Sequence, residues 1–108
     1  MDKITLKYTF DELTTLSKVL VFIGKNLNAS AEMELRMKGV IINRIAQKMI
    51  AKLVRLKNKY TCNLNIDEAM CLYTAIDKGI IYSHNQWTQQ LINKTFNRFE
   101  EVLEPQNI

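Results

Sequence analysis

One histidine, one proline, two cysteines and three glycines in 108 residues leave little material for several kinds of protein. His84 has no second imidazole with which to share a metal, and the spacing Cys62, Cys71, His84 fits no zinc pattern. Two cysteines make no disulfide framework, so a reduced, cytoplasmic protein is expected. Gly39 and Gly79 stand alone, which excludes a phosphate-cradling glycine loop. No nucleophile elbow or triad signature occurs. The longest apolar run, Val19 to Ile23, is far too short to span a bilayer, and the opening Met-Asp-Lys-Ile-Thr-Leu-Lys-Tyr has no apolar core of signal-peptide length. Nothing therefore predicts a catalytic residue, a metal, a cofactor or a membrane partner. The expectation is a protein that is not an enzyme.

Acid is missing where base is abundant. From Leu35 to Ile66 there is no Asp or Glu, yet Arg36, Lys38, Arg44, Lys48, Lys52, Arg55, Lys57 and Lys59 all fall there. The acids gather on either side, at Asp2, Asp11 and Glu12, at Glu32 and Glu34, at Asp67 and Glu68, and at Glu100, Glu101 and Glu104. The net charge of +4 is short of an obligate nucleic-acid coater. An apolar share of 47% with 24% charged residues is that of an ordinary globular chain, and the length suits one small domain over residues 1–108.

The periodicity divides the chain twice in the same way. Lys3 to Phe10 alternates, with Ile4, Leu6, Tyr8 and Phe10 on one face and Thr5, Lys7 and Thr9 on the other, as in a half-buried strand. Helical spacing follows through Leu13, Leu16, Val19, Leu20 and Ile23. Thr9 and Glu12 fit a capping box, with Tyr8 and Leu13 as its staple. Gly24 or the Asn26-Leu27-Asn28 segment should end this helix. A second helix starts near Ser30, with Glu32 and Glu34 in its first turn, and can run to Tyr60 because no proline interrupts it. Ile42, Ile45, Met49, Ile50, Leu53, Leu56 and Tyr60 would form its apolar face. Its first half is apolar nearly all round, which marks a central or interface helix.

Thr61 to Ile66 alternates again. Asn65 and Glu68 repeat the cap, and a third helix runs to Gly79, placed as a C-terminal glycine should be. Ser83 with Gln86 would cap a fourth helix through Trp87, Leu91, Ile92, Thr95, Phe96, Phe99 and Leu103, ending at Pro105. Residues 8–13 align with 64–69 at an offset of fifty-six; duplication and convergence on good cap chemistry both account for this. The expected fold is α+β and mostly α: four helices with a two-stranded antiparallel ribbon, in the order β-α-α-β-α-α.

Two surfaces follow. Arg44, Lys48, Lys52, Arg55 and Lys59 fall within roughly 80° on a helix, a stripe that resists itself by about 0.2–0.5 kcal/mol per like-charged pair. It is expected to be matched by acids of the same fold, with Glu100, Glu101 and Glu104 as partners, by an acidic partner protein, or by the phosphates of a nucleic acid, with Asn43, Gln47 and Asn58 available to bases. Met33, Met37, Val40 and Ile41 form an apolar patch suited to self-association, for which a twofold dimer is the commonest closed form. Asp11-Glu12 and Asp67-Glu68 are read as helix caps, not a catalytic dyad; His84 as a surface cap residue; Cys71 as a buried, inert thiol. The leading functional expectation is a non-catalytic interaction or oligomerisation module, and the alternative a nucleic-acid-binding or regulatory protein.

Overall fold

A computed structural model describes residues 3–103. The first strand, β1, spans Lys3–Tyr8 and hands over to α1, Phe10–Asn28. A short turn leads to α2, Met33–Lys52. The second strand, β2, covers Tyr60–Asn65; α3 covers Ile66–Asp77 and α4 Gln86–Leu103. The order β-α-α-β-α-α and the antiparallel pairing of β1 with β2 are as the periodicity predicts.

Alternation makes the ribbon two-faced. Ile4, Leu6 and Tyr8 lie opposite Leu64, Cys62 and Tyr60, and all six are buried under the helices. They join Leu13, Leu16, Leu20, Ile42, Ile45, Met49, Leu72, Ile92 and Phe99 in one core. α1 and α2 pack along their whole length, whereas α3 and α4 touch far less. Gly24 and Gly39 let α1 and α2 approach closely: a Cβ on Gly39 would stand 2.8 Å from the Asn28 backbone nitrogen.

The caps form as the residues require. The Thr9 side chain accepts from the Glu12 amide at 3.2 Å while the Glu12 carboxylate accepts from the Thr9 amide at 2.9 Å. Asn65 and Glu68 make the same exchange at 2.8 and 3.0 Å. Gly79, at φ +75°, closes α3: its amide donates to Ile76 and the Ile80 amide to Ala75, the paired bonds of a Schellman ending.

The fifty-six-residue offset is a symmetry of the ladder. It carries the pair Ile4–Leu64 onto Tyr60–Tyr8 and leaves Leu6–Cys62 on itself, so a local twofold passes through that central pair. The cap glutamates obey it too. Glu12 of α1 binds Lys94 of α4, and Glu68 of α3 binds Lys48 of α2, so each glutamate binds a lysine of the other half's second helix.

Several boundaries differ from expectation. β1 stops at Tyr8, and Phe10 opens α1 with its ring partly exposed. β2 starts one residue earlier than predicted and excludes Ile66, which begins α3. The second helix starts at Met33, not Ser30, and Glu32 gives it no side-chain cap. α4 begins at Gln86 without the Ser83–Gln86 box; the Asn85 side chain takes the Thr88 amide instead, at 2.9 Å. Pro105, the expected stop, lies outside the described residues.

The largest correction is the end of α2. It stops at Lys52, and residues 53–59 form an irregular turn. Three causes act together. The chain must reverse to lay β2 against β1. The Tyr60 ring belongs to the core, which one continuous helix could not reach from that side. Further helix would also extend a self-repelling column of cations. Leu56 and Val54, each 84% exposed, consequently lie outside the core, and Ile50 is 40% exposed.

Candidate nucleic-acid interface

The basic residues of α2 divide where the helix meets α3. Packing of α3 beside α2 places the α3 cap against Arg44 and Lys48. Lys48 Nζ donates to Glu68 Oε1 at 2.7 Å, and Arg44 Nε to Glu68 Oε2 at 3.2 Å. The Glu68 side chain is only 1% exposed, while its two partners keep about half of theirs, 54% and 44%, in solvent. Burial raises the carboxyl pKa, but the Lys48 hydrogen bond, the Asn65 amide and the two cationic charges outweigh it and hold Glu68 below the usual glutamate range. The carboxylate expected from Glu100, Glu101 or Glu104 is thus supplied by Glu68. Glu101 instead faces Arg98 at 3.9 Å, and Glu104 lies outside the described residues.

The rest of the stripe does not remain on a helix. Lys52 closes α2, whereas Arg55 and Lys59 sit in the turn after it. Among the described residues, no carboxylate lies within 4.0 Å of Lys52, Arg55, Lys57 or Lys59. These four cations, with Tyr60 and Thr61, border a shallow concavity of about 430 Å³. Tyr60 fixes its floor. Its hydroxyl donates to the Arg55 carbonyl at 2.5 Å and accepts from the Lys57 amide at 2.9 Å.

The ribbon extends this surface. Its outward pairs are Lys3–Asn65, Thr5–Asn63 and Lys7–Thr61, with Thr5 donating to the Asn63 side chain at 2.9 Å. No acid and no apolar side chain occurs among the six. Lys48 and Lys52 line a cleft with Asn63 along the free side of β2. On the other side a cleft of about 550 Å³ separates β1 from α4; its charged lining residues are Lys7, Lys94, Arg98 and Glu101. Arg98 Nε there donates to the Thr5 carbonyl at 3.3 Å, and Lys94 is held by Glu12 at 3.2 Å. Lys3, Lys7, Thr61 and Asn63 belong to the basic surface, although alternation alone marks them only as a solvent face. Their polar period of two was the available signal; its junction with α2 depends on the ladder register.

The other predicted residues are scattered. Met33, Met37 and Val40 are 64%, 59% and 57% exposed on the first half of α2, while Ile41 packs partly against the core. His84 is exposed, its ring edge-on to Tyr82 at 5.4 Å. Cys62 and Cys71 are buried, and burial pushes both thiols up. Among the described residues, no three His, Cys, Asp or Glu side chains could together hold a metal, and no helix is long and apolar enough to cross a membrane.

The surface offers cations, hydroxyls and carboxamides on a rigid frame. It can neutralise phosphates and donate to or accept from base edges. Neither a protein-family model, nor a curated protein, nor a solved structure matches the chain.

Proposed function

We propose that the chain is a non-catalytic binding module that takes nucleic acid on the surface made by the end of α2, the 53–59 turn and the outer face of the ribbon. One observation carries the reading: Lys52, Arg55, Lys57 and Lys59 have no carboxylate of the described chain beside them, although Arg44 and Lys48 do. The fold pairs the first two cations of the basic stripe and leaves the last three without a described carboxylate. Lys3 and Lys7 continue the same sign across the ribbon. A duplex fits better than a single strand, because the outer ribbon face has no aromatic on which bases could stack.

The test is fluorescence anisotropy with a short labelled duplex of mixed sequence over a salt series. Affinity should fall as salt rises, by about 0.9 log unit per log unit of salt for each phosphate contacted. Lys7→Glu, Lys52→Glu and Lys59→Glu together should abolish it. They are preferable to changes at Lys48, which would also break the Glu68 pair. Absence of binding to duplex and single strands at low salt defeats the reading.

Self-association is a second reading with its own observation. Among the described residues, six of the twelve large apolar side chains that are exposed lie between Met33 and Leu56. Met33, Met37 and Val40 are spaced to share one face of α2, and a second copy meeting the same row about a twofold would bury them. Sedimentation equilibrium should give a dimer that Met37→Gln with Val40→Gln converts to monomer. A monomer at high micromolar concentration removes this reading.

A further inference from the structure

We infer that the 53–59 turn is a preformed clamp for backbone phosphates, held in its binding shape by the Tyr60 hydroxyl; this rests on the nucleic-acid reading above. The sequence Val54-Arg55-Leu56-Lys57-Asn58-Lys59 has no glycine, proline or acid. A seven-residue connection of this composition has no local reason to hold one shape. The reason lies outside it. Tyr60 is the first residue of β2 and 3% exposed, with its ring tilted toward Phe10 at 6.2 Å between centroids. Its hydroxyl ties two backbone groups of the turn, the Arg55 carbonyl and the Lys57 amide. The strand thus anchors the turn through one buried side chain.

That anchor lies beside the cations. Lys52, Arg55, Lys57 and Lys59 surround one concavity that also contains Tyr60 and Thr61. Four positive charges without a carboxylate oppose one another unless an anion lies among them. Holding them in place before binding removes part of the ordering cost that flexible lysines would otherwise impose on the complex. Phosphate is the matching chemistry, since it is anionic and accepts several hydrogen bonds at once. The adjoining ribbon, with its lysines, threonines and asparagines, makes successive phosphates of one nucleic acid the source. Val54 and Leu56 project from the same turn and would suit an anionic lipid surface as well. The continuity of charge from the turn across a flat polar ribbon favours a nucleic acid.

The experiment compares the 108-residue chain with its variants Tyr60→Phe, Arg55→Gln, Lys59→Gln and Lys7→Gln. Each is titrated with the labelled duplex across a salt series, and with vesicles of phosphatidylserine in phosphatidylcholine. Circular dichroism and a melting curve accompany each variant. Tyr60→Phe keeps the ring and every cation. It should weaken duplex binding roughly three- to tenfold with the salt slope unchanged, since only preorganisation is lost. Arg55→Gln and Lys59→Gln change exposed side chains and should each lower the slope by about one. They decide the matter if Tyr60→Phe melts too early to titrate. Wild-type affinity and slope in both glutamine variants, with binding weakened by Lys7→Gln, would overturn the clamp and leave the nucleic-acid reading standing. Vesicle binding tighter than duplex binding would also overturn it. No binding of wild type to duplex would remove both.

Discussion

Replacing Glu68 by glutamine separates the structural use of the basic face from its outward use. Glu68 accepts from Lys48, from Arg44 and from the Asn65 amide. Glutamine keeps the shape and can still take the Asn65 amide, so the α3 cap survives in part. Its amide nitrogen cannot accept from a cation, and its oxygen is uncharged. A hydrogen bond to a charged group contributes about 1.5–3 kcal/mol against about 1 for a neutral one. Arg44 and Lys48 are half exposed and would rehydrate, which places the cost at the low end, about 1–2 kcal/mol. In a domain of this size that lowers Tm by roughly 5–10 °C. Glu68→Ala keeps the Asn65 side-chain cap but also loses the bond that the Asn65 amide donates, and should cost about 1 kcal/mol more.

The folded-state pKa of Glu68 lies below the unfolded value of about 4.3. Its contribution is therefore complete well above that value and is lost as pH falls through the folded pKa. The gap in Tm between wild type and Glu68→Gln should be full at neutral pH and close in acid, where the wild-type carboxyl also becomes neutral. The same substitution releases Arg44 and Lys48, so duplex affinity should rise while stability falls. A melting point within a degree or two of wild type at neutral pH, or a gap that persists in strong acid, would refute the account of Glu68 as a charged clasp. Unchanged affinity and salt slope would place the binding surface away from α2.

Three further outcomes are expected. Gly39→Ala gains about 1 kcal/mol of helix propensity but drives a methyl group to 2.8 Å from a backbone nitrogen, so a net loss of about 1–2 kcal/mol should appear in urea unfolding; Gly24→Ala, whose nearest neighbours stand at 3.4 Å, should be neutral or stabilising by up to about 1. Gly79→Ala meets nothing within 4 Å yet must hold φ +75°, and should lose about 1 kcal/mol by the same assay, with Gly79→Asn losing less. Native Cys62 and Cys71 should resist an aromatic disulfide reagent at neutral pH, reacting only at the rate of opening; immediate reaction of either thiol would contradict its burial and raised pKa.

What was legible in the sequence is what is decided locally. Alternation at Ile4, Leu6 and Tyr8 and at Cys62 and Leu64 depends only on one face being buried, and Thr9–Glu12 and Asn65–Glu68 satisfy amides three residues away. The end of α2 was not legible, because no residue between Leu53 and Lys59 breaks a helix. The causes lie outside that segment, in the ladder that β2 must join and in Tyr60, whose ring enters the core and whose hydroxyl bonds back to residues 55 and 57. The partner of the stripe was equally hidden. The spacing marks Glu68 as a cap residue, and nothing in one dimension places that cap against Lys48, twenty residues back along the chain.

The local twofold clarifies why the remaining cations stand out. Each half needs a glutamate at the cap of its first helix, and a buried or half-buried carboxylate needs a cation. Lys94 serves Glu12, and Lys48 with Arg44 serves Glu68. These requirements of the fold account for Arg44, Lys48 and Lys94. They make no demand on Lys52 at the end of α2, or on Arg55, Lys57 and Lys59 in the turn after it, whose backbone the Tyr60 hydroxyl ties at Arg55 and Lys57. Stability alone would be served better by neutral residues there, since the four repel one another and pair with no described carboxylate. On the reading proposed above, the ligand that returns this cost is anionic and extended enough to meet the ribbon lysines as well as the turn, and a phosphate backbone meets both conditions.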